Sequence, residues 1–158
     1  MADAPFDVQQ AHRWFAVELN NLAWDIVEAE SRSEEELERM IHAAHAACFH
    51  WLQVGNPLNH LRAESLLASA YFTAGLPEAA VRHAEKCLRL GEAAGNTQSQ
   101  FDRACTQGCA AAAYVLAGDL SRAKQHFAEL QTEYATLEDA DQGVIDQLYR
   151  RPLADQLA

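Results

Sequence analysis

The stretch Leu66-Leu67-Ala68-Ser69-Ala70-Tyr71-Phe72-Thr73-Ala74-Gly75-Leu76-Pro77-Glu78-Ala79-Ala80-Val81, running on to Cys87-Leu88-Arg89-Leu90, decides the fold. Small side chains at Ala68, Ala74 and Ala80 surround one aromatic, Tyr71, and Gly75 with Pro77 interrupts the run. The pattern predicts two antiparallel helices. Gly75 ends the first, Pro77 fits the first turn of the second, and the alanines let the two backbones approach closely.

The pattern occurs three times. Leu22-Ala23-x-x-Ile26-x-x-Ala29, Leu67-Ala68-x-x-Tyr71-x-x-Ala74 and Ala110-Ala111-x-x-Tyr114-x-x-Ala117 match column by column, offset by 45 and then 43 residues. Gly75 and Gly118 occupy the next turn, Ala80 and Ala123 the tight point of the second helix, and Ala84, Cys87, Phe127 and Leu130 continue the register. These residues resemble the tetratricopeptide (TPR) repeat over 61–90 and 104–133, and less closely over 14–52, where Glu30 replaces the turn glycine. The offsets exceed the TPR period of about 34 residues, so the helices or their connections are longer. The resemblance implies an all-α fold, a right-handed α-α superhelix of three antiparallel pairs (about 7–53, 58–94 and 97–136) with a capping helix at about 141–150, in one domain over 1–158. A lone pair cannot bury its apolar face, so three pairs and a cap are close to the minimum stable array.

Local signals agree. Pro5 or Asp7 suits the start of a first helix running to about Ala29, with Val8, Ala11, Phe15, Leu19, Leu22 and Ile26 as its core stripe. Trp14, Val17, Asn21 and Trp24 form a second row on another face, read as a packing or binding surface. Ser33 with Glu36 makes a capping box for a second helix, whose stripe is Leu37, Met40, Ile41, Ala44, Cys48, Trp51 and Leu52. Gly55-Asn56-Pro57 ends it, and a third helix follows from about Leu58 to Ala74. Thr97 with Gln100 predicts the start of a fifth helix, Asp119 the start of a sixth, and Arg151-Pro152 the end of a seventh. No segment alternates in the manner of a strand.

In proteins of this resemblance the first helices line a concave surface that receives peptides or other proteins. The corresponding positions here are Val17, Asn20 and Trp24, then Arg62, Ser65, Ser69 and Phe72, then Cys105, Gly108, Ala112 and Val115. With Trp14 these make the expected partner-binding set, and the Trp14/Trp24 face or the second helix is the expected contact of a homodimer. The Lys and Asn residues that clamp a C-terminal carboxylate in some TPR domains have no counterpart among these positions.

Composition narrows the function classes. Twelve basic against 23 acidic residues give a formal charge of −11, which repels nucleic-acid phosphates and anionic lipid. No apolar run approaches the 18 or so residues of a membrane span. The acidic start, Met1-Ala2-Asp3-Ala4-Pro5-Phe6-Asp7, has neither the basic nor the apolar region of a secretory signal, so the expected compartment is cytoplasmic. Cys48, Cys87, Cys105 and Cys109 fall within helical patterns and read as small buried hydrophobes.

Four of the seven histidines lie between residues 42 and 60. In His42-Ala43-Ala44-His45-Ala46-Ala47-Cys48-Phe49-His50-Trp51, His42 and His45 share one flank of the helix, and His50 points nearly opposite. Two imidazoles one turn apart are the start of a site for a transition metal such as zinc, with His12, Glu18 or Glu64 as the further ligand. The plain alternative is that they are packing histidines bonded to carbonyls or carboxylates. His50, Asn59, His60 and Glu64, with Arg62, form a candidate polar cluster at the mouth of the third helix. The run from His42 to Glu64 also resembles a group of small bacterial TPR-like proteins, a resemblance that brings no activity with it. There is no nucleophile elbow, glycine-rich phosphate loop or paired-carboxylate motif, and Glu34-Glu35-Glu36 is a first-turn run that complements the helix dipole. The expected role is a protein-interaction module without catalysis, with a small metal- or ligand-binding protein as the alternative.

Overall fold

The computed structural model describes residues 5–157 and is helical, with no strand among those residues. Most of the acidic start, Met1 to Ala4, lies outside them. The helices are α1 (Val8–Val27), α2 (Glu34–Val54), α3 (Pro57–Thr73), α4 (Pro77–Ala94), α5 (Gln100–Leu116), α6 (Leu120–Tyr134), α7 (Asp139–Ile145) and α8 (Arg151–Leu157), the last two joined by a π turn, Asp146–Arg150. None is long and apolar enough to cross a membrane.

The caps explain the boundaries. Asp7 accepts the Gln10 N–H at 3.0 Å, and Ser33 and Glu36 bond reciprocally, Ser33 N–H to Glu36 Oε2 at 2.7 Å. Asn56 and Asn59 make a second reciprocal box around Pro57 at the start of α3. The expected cap at Thr97 is displaced. Thr97 lies in a 3-10 turn, Gly95–Thr97, where its hydroxyl donates to the Ala94 carbonyl at 2.8 Å, and Ser99 with Asp102 caps α5 instead. Gly75 and Gly118, at φ 71° and 77°, close α3 and α5 in the same way. In both turns the following amide reaches back five residues, Leu76 to the Tyr71 carbonyl and Asp119 to that of Tyr114, each at 2.9 Å. A side chain at either glycine would be strained by that left-handed backbone.

Consecutive helices pack most extensively as α1 on α2, α3 on α4 and α5 on α6. The columns of the repeat are where they touch: Ala23, Ala68, Ala111, Ala80 and Ala123 are fully buried. Beyond these pairs α2 rests on α3, α4 on α5, and the first helices follow one another, α1 on α3 and α3 on α5. One apolar cluster joins α1, α2 and α3, another joins α3 to the C-terminal helices, and both are flanked by Tyr71 and Leu148. The expected stripes shorten at one end. Val8 and Phe15 on α1 and Leu52 on α2 are exposed, because the N-terminal half of α1 meets only the C-terminal part of α2; Ala16, Ala23, Ile26 and Val27 carry the burial.

Helix was expected to end at Arg151-Pro152, but it continues through them as α8. The π turn ahead of it shifts the backbone register, and Pro152 falls in the first turn of α8, where a missing N–H is harmless. Ile145, Tyr149, Leu153 and Leu157 recur every four residues and are all buried, packing the segment onto α5 and α6.

Candidate functional site

The surface formed by α1, α3 and α5, expected to be open, is largely covered by the chain's own C-terminal segment. Tyr149 lies on Gly108 so closely that a Cβ there would stand 2.6 Å from the ring's Cγ. Its hydroxyl is 2.9 Å from Ser69 Oγ. Ser65, Ser69 and Ala112 are consequently buried, not presented to a partner, while Phe72 and Val115 are half-buried at the edge. Three positions of the expected partner row thus lie beneath the C-terminal segment, and two lie at its edge.

What remains of that surface is a cavity of about 420 Å³, lined by Asn20, Trp24 and Glu28 from α1, Leu61, Arg62 and Ser65 from α3, Phe101, Asp102 and Cys105 from α5, and Val144 and Leu148 from the C-terminal segment. Arg62 crosses from α3 to α5 as a two-pronged donor to Asp102, Nε at 2.7 Å and Nη2 at 3.0 Å. Burial alone would raise the Asp102 carboxyl, but the hydrogen bonds from Arg62 and Ser99 outweigh it and hold it below the usual carboxylate range. Burial pushes the Cys105 thiol far up, keeping it neutral. Ser65 Oγ is buried without a hydrogen-bond partner; the Cys109 thiol and Tyr149 hydroxyl are near it, yet neither has bonding geometry.

A second constellation lies where α2, α3 and α4 meet. Glu64, almost inaccessible on α3, accepts from His83 Nδ1 at 2.7 Å and from Lys86 Nζ at 2.6 Å, with the Cys48 sulfur 3.8 Å away. Burial opposes ionisation, but the bonds from His83 and Lys86 prevail and the carboxyl stays below its ordinary value. Burial, with Glu64 adding to it, pushes the Cys48 thiol up to about 11. The His83 ring stacks on Tyr71 at 5.4 Å and 8°, and His45 sits edge-on to both, its Nε2 2.7 Å from the Tyr71 hydroxyl. Burial lowers the His45 pKa, with the neighbouring His83 adding to it.

The repeat supplies a control for this constellation. Tyr114, His126 and Gln107 stand 43 residues after Tyr71, His83 and Glu64. His126 stacks on Tyr114 at 5.5 Å and 16°, and its Nδ1 lies 2.7 Å from Gln107 Oε1. A neutral amide therefore does what Glu64 does, so the histidine pairing belongs to packing that the second and third copies share, and only the charge at Glu64 is particular to the second. Among the described residues no three His, Cys, Asp or Glu side chains converge on a point that could hold a metal ion. His42 stays on the exposed flank, and His45 is engaged with Tyr71 rather than with a second ligand.

The expected polar cluster is divided. His50 faces α1, its Nδ1 2.7 Å from that of His12; Asn59 is spent on the Asn56 cap; His60 Nε2 reaches the Trp51 carbonyl at 3.1 Å; and Glu64 points to α4. Trp14 and Trp24 separate as well. Trp24 is half-buried at the cavity, whereas Trp14 is 58% exposed and meets Phe15 at 4.9 Å. Phe15 in turn stacks on His50 at 5.3 Å, and Phe49, 56% exposed, meets His50 at 5.5 Å. Val17 and Leu52 are exposed too.

No motif in the sequence marks His83, Lys86, Asp102 or Tyr149. The signal for His83 was present, since extending the 43-residue register to the second helices pairs it with His126; nothing in the repeat foretells Tyr149. No protein-family model, curated protein or solved structure matches the chain.

Proposed function

We propose that the chain is a TPR-like superhelix of three helix hairpins that works as a cytoplasmic protein-interaction module, and that its contact surface is the outer aromatic face of α1 and α2, where it pairs with a second copy of itself. The observation that carries the reading is the exposed ring cluster of Trp14, Phe15 and Phe49 around the His12–His50 pair. A contiguous apolar face of this kind is costly in water unless something covers it. The inner surface is a poorer candidate because Tyr149 and its neighbours already fill it. Two-fold pairing is the simplest way for one patch to satisfy itself, each copy burying the other's rings. Four free cysteines, three of them buried, agree with a reducing compartment.

Light scattering on the wild type and on a Trp14→Ser/Phe49→Ser variant tests this. The wild type is expected at twice the 17.5 kDa chain mass at micromolar concentration, and the variant at the single mass with an unchanged circular dichroism spectrum. A monomeric wild type, or a variant that stays dimeric, overturns the reading.

A further inference from the structure

We infer that the cavity between α1, α3, α5 and the C-terminal segment binds a small uncharged aromatic molecule that carries one hydrogen-bonding group. Its volume, about 420 Å³, falls within the range that encloses small ligands. Trp24 and Phe101 supply flat apolar walls and Leu148 covers the space from the C-terminal side, so an aromatic ring is the shape that buries most surface.

The polar requirement comes from Ser65. Its hydroxyl is one of two buried side-chain polar atoms without a hydrogen bond among the described residues, and the residue, 4% exposed, lines the cavity. A buried hydroxyl left unmade is unfavourable, and a single χ1 rotation is all a serine needs to meet an incoming partner. A ligand with one hydroxyl or carbonyl group satisfies it.

Charge argues against an ionic ligand. The positive charge of Arg62 is engaged by Asp102 through two hydrogen bonds, and Glu28 remains at the rim, so the lining sums to one negative charge. An anion is repelled, and a cation finds only an exposed carboxylate, while the walls favour a neutral ring.

The test is titration calorimetry of the whole chain with 2-naphthol, an uncharged bicyclic aromatic alcohol. One molecule is expected per chain. Ser65→Ala should weaken binding about five- to tenfold, the value of one net hydrogen bond. Leu148→Trp, which fills the cavity from the C-terminal side, should abolish it. Trp14→Ser/Phe49→Ser, on the outer face, should leave it unchanged. The inference is overturned by no binding up to the solubility limit, by affinity that is insensitive to both Ser65→Ala and Leu148→Trp, by loss of binding in the outer-face variant, or by 2-naphthoate binding as tightly as 2-naphthol. Circular dichroism melting of each variant separates loss of the site from loss of the fold. Because Leu148→Trp and Ser65→Ala perturb the site from opposite sides, unfolding of one leaves the other to decide.

Discussion

Tyr149 rests its ring on the backbone of Gly108, forty-one residues earlier in the chain, and the fit leaves no room for a methyl group. In a helix interior alanine ordinarily improves on glycine by roughly 0.5–1 kcal/mol. At Gly108 the sign should reverse: overpacking of this kind costs about 1–3 kcal/mol. Gly143, in α7 with open space around its Cα, is the control. Urea unfolding should show Gly108→Ala destabilised and Gly143→Ala stabilised. Two substitutions moving together would mean that the Tyr149 ring is not where α5 needs it.

The hydroxyl of Tyr149 is a separate contribution. Tyr149→Phe keeps the ring but strands Ser69 Oγ in a buried position, at a cost of about 1–3 kcal/mol. Tyr149→Phe/Ser69→Ala, which removes both partners, should recover much of that loss, and a double-mutant cycle in chemical denaturation measures the recovery. Equal, additive losses would indicate that the two groups do not meet.

Acid should weaken the fold in two stages. Burial lowers the pKa of His45, His50 and His126 from the ordinary 6.5, so the unfolded chain takes up their protons first and stability falls as pH drops below that value. Glu64 and Asp102, held below their ordinary 4.5 and 3.8, contribute stability that is present above those values and is lost as pH falls through the lower folded ones. Melting temperature in about 0.2 M salt, where repulsion among surface charges is screened, should fall below pH 6.5 and fall again below pH 4.5. A melting temperature that rises on acidification through the histidine range contradicts these environments.

Glu64 and Gln107 predict an asymmetry between substitutions at one buried hydrogen bond. Glu64→Gln leaves His83 held as Gln107 holds His126, and the half-exposed Lys86 turns to water, so the loss should be near 1 kcal/mol. His83→Ala leaves the buried carboxylate with Lys86 as its remaining charged partner and removes the ring stacked on Tyr71, at about 2–5 kcal/mol. Denaturant midpoints that reverse this order would show that the charge, rather than the shared packing, holds the site together.

The helix pairs were legible because their determinants are local. Alanine columns, caps such as Ser33 with Glu36, and the glycines at 75 and 118 act within a few residues, and each appears where the pattern places it. The Thr97 cap failed for an equally local reason, since Ser99 and Asp102 offer a competing box two residues on and Asp102 is further fixed by Arg62. The site residues were less legible because they depend on distant chain. The spacing of His45 to His42 is local, but its neighbours Tyr71 and His83 come from two other helices. Ser65 and Ser69 occupy the expected inner face, but whether that face is open depends on Tyr149, about eighty residues away, and on a π turn that carries helix past Pro152.

The C-terminal segment fills the inner surface, and magnetic resonance reads that contact directly. Nuclear Overhauser effects are expected between the Gly108 Hα protons and the ring protons of Tyr149, with the Gly108 Hα resonances displaced upfield by the ring lying over them. Gly108 at ordinary helical shifts, without cross-peaks to Tyr149, would mean that the surface of α1, α3 and α5 is open, and that partners are to be sought there rather than on the outer face of α1 and α2.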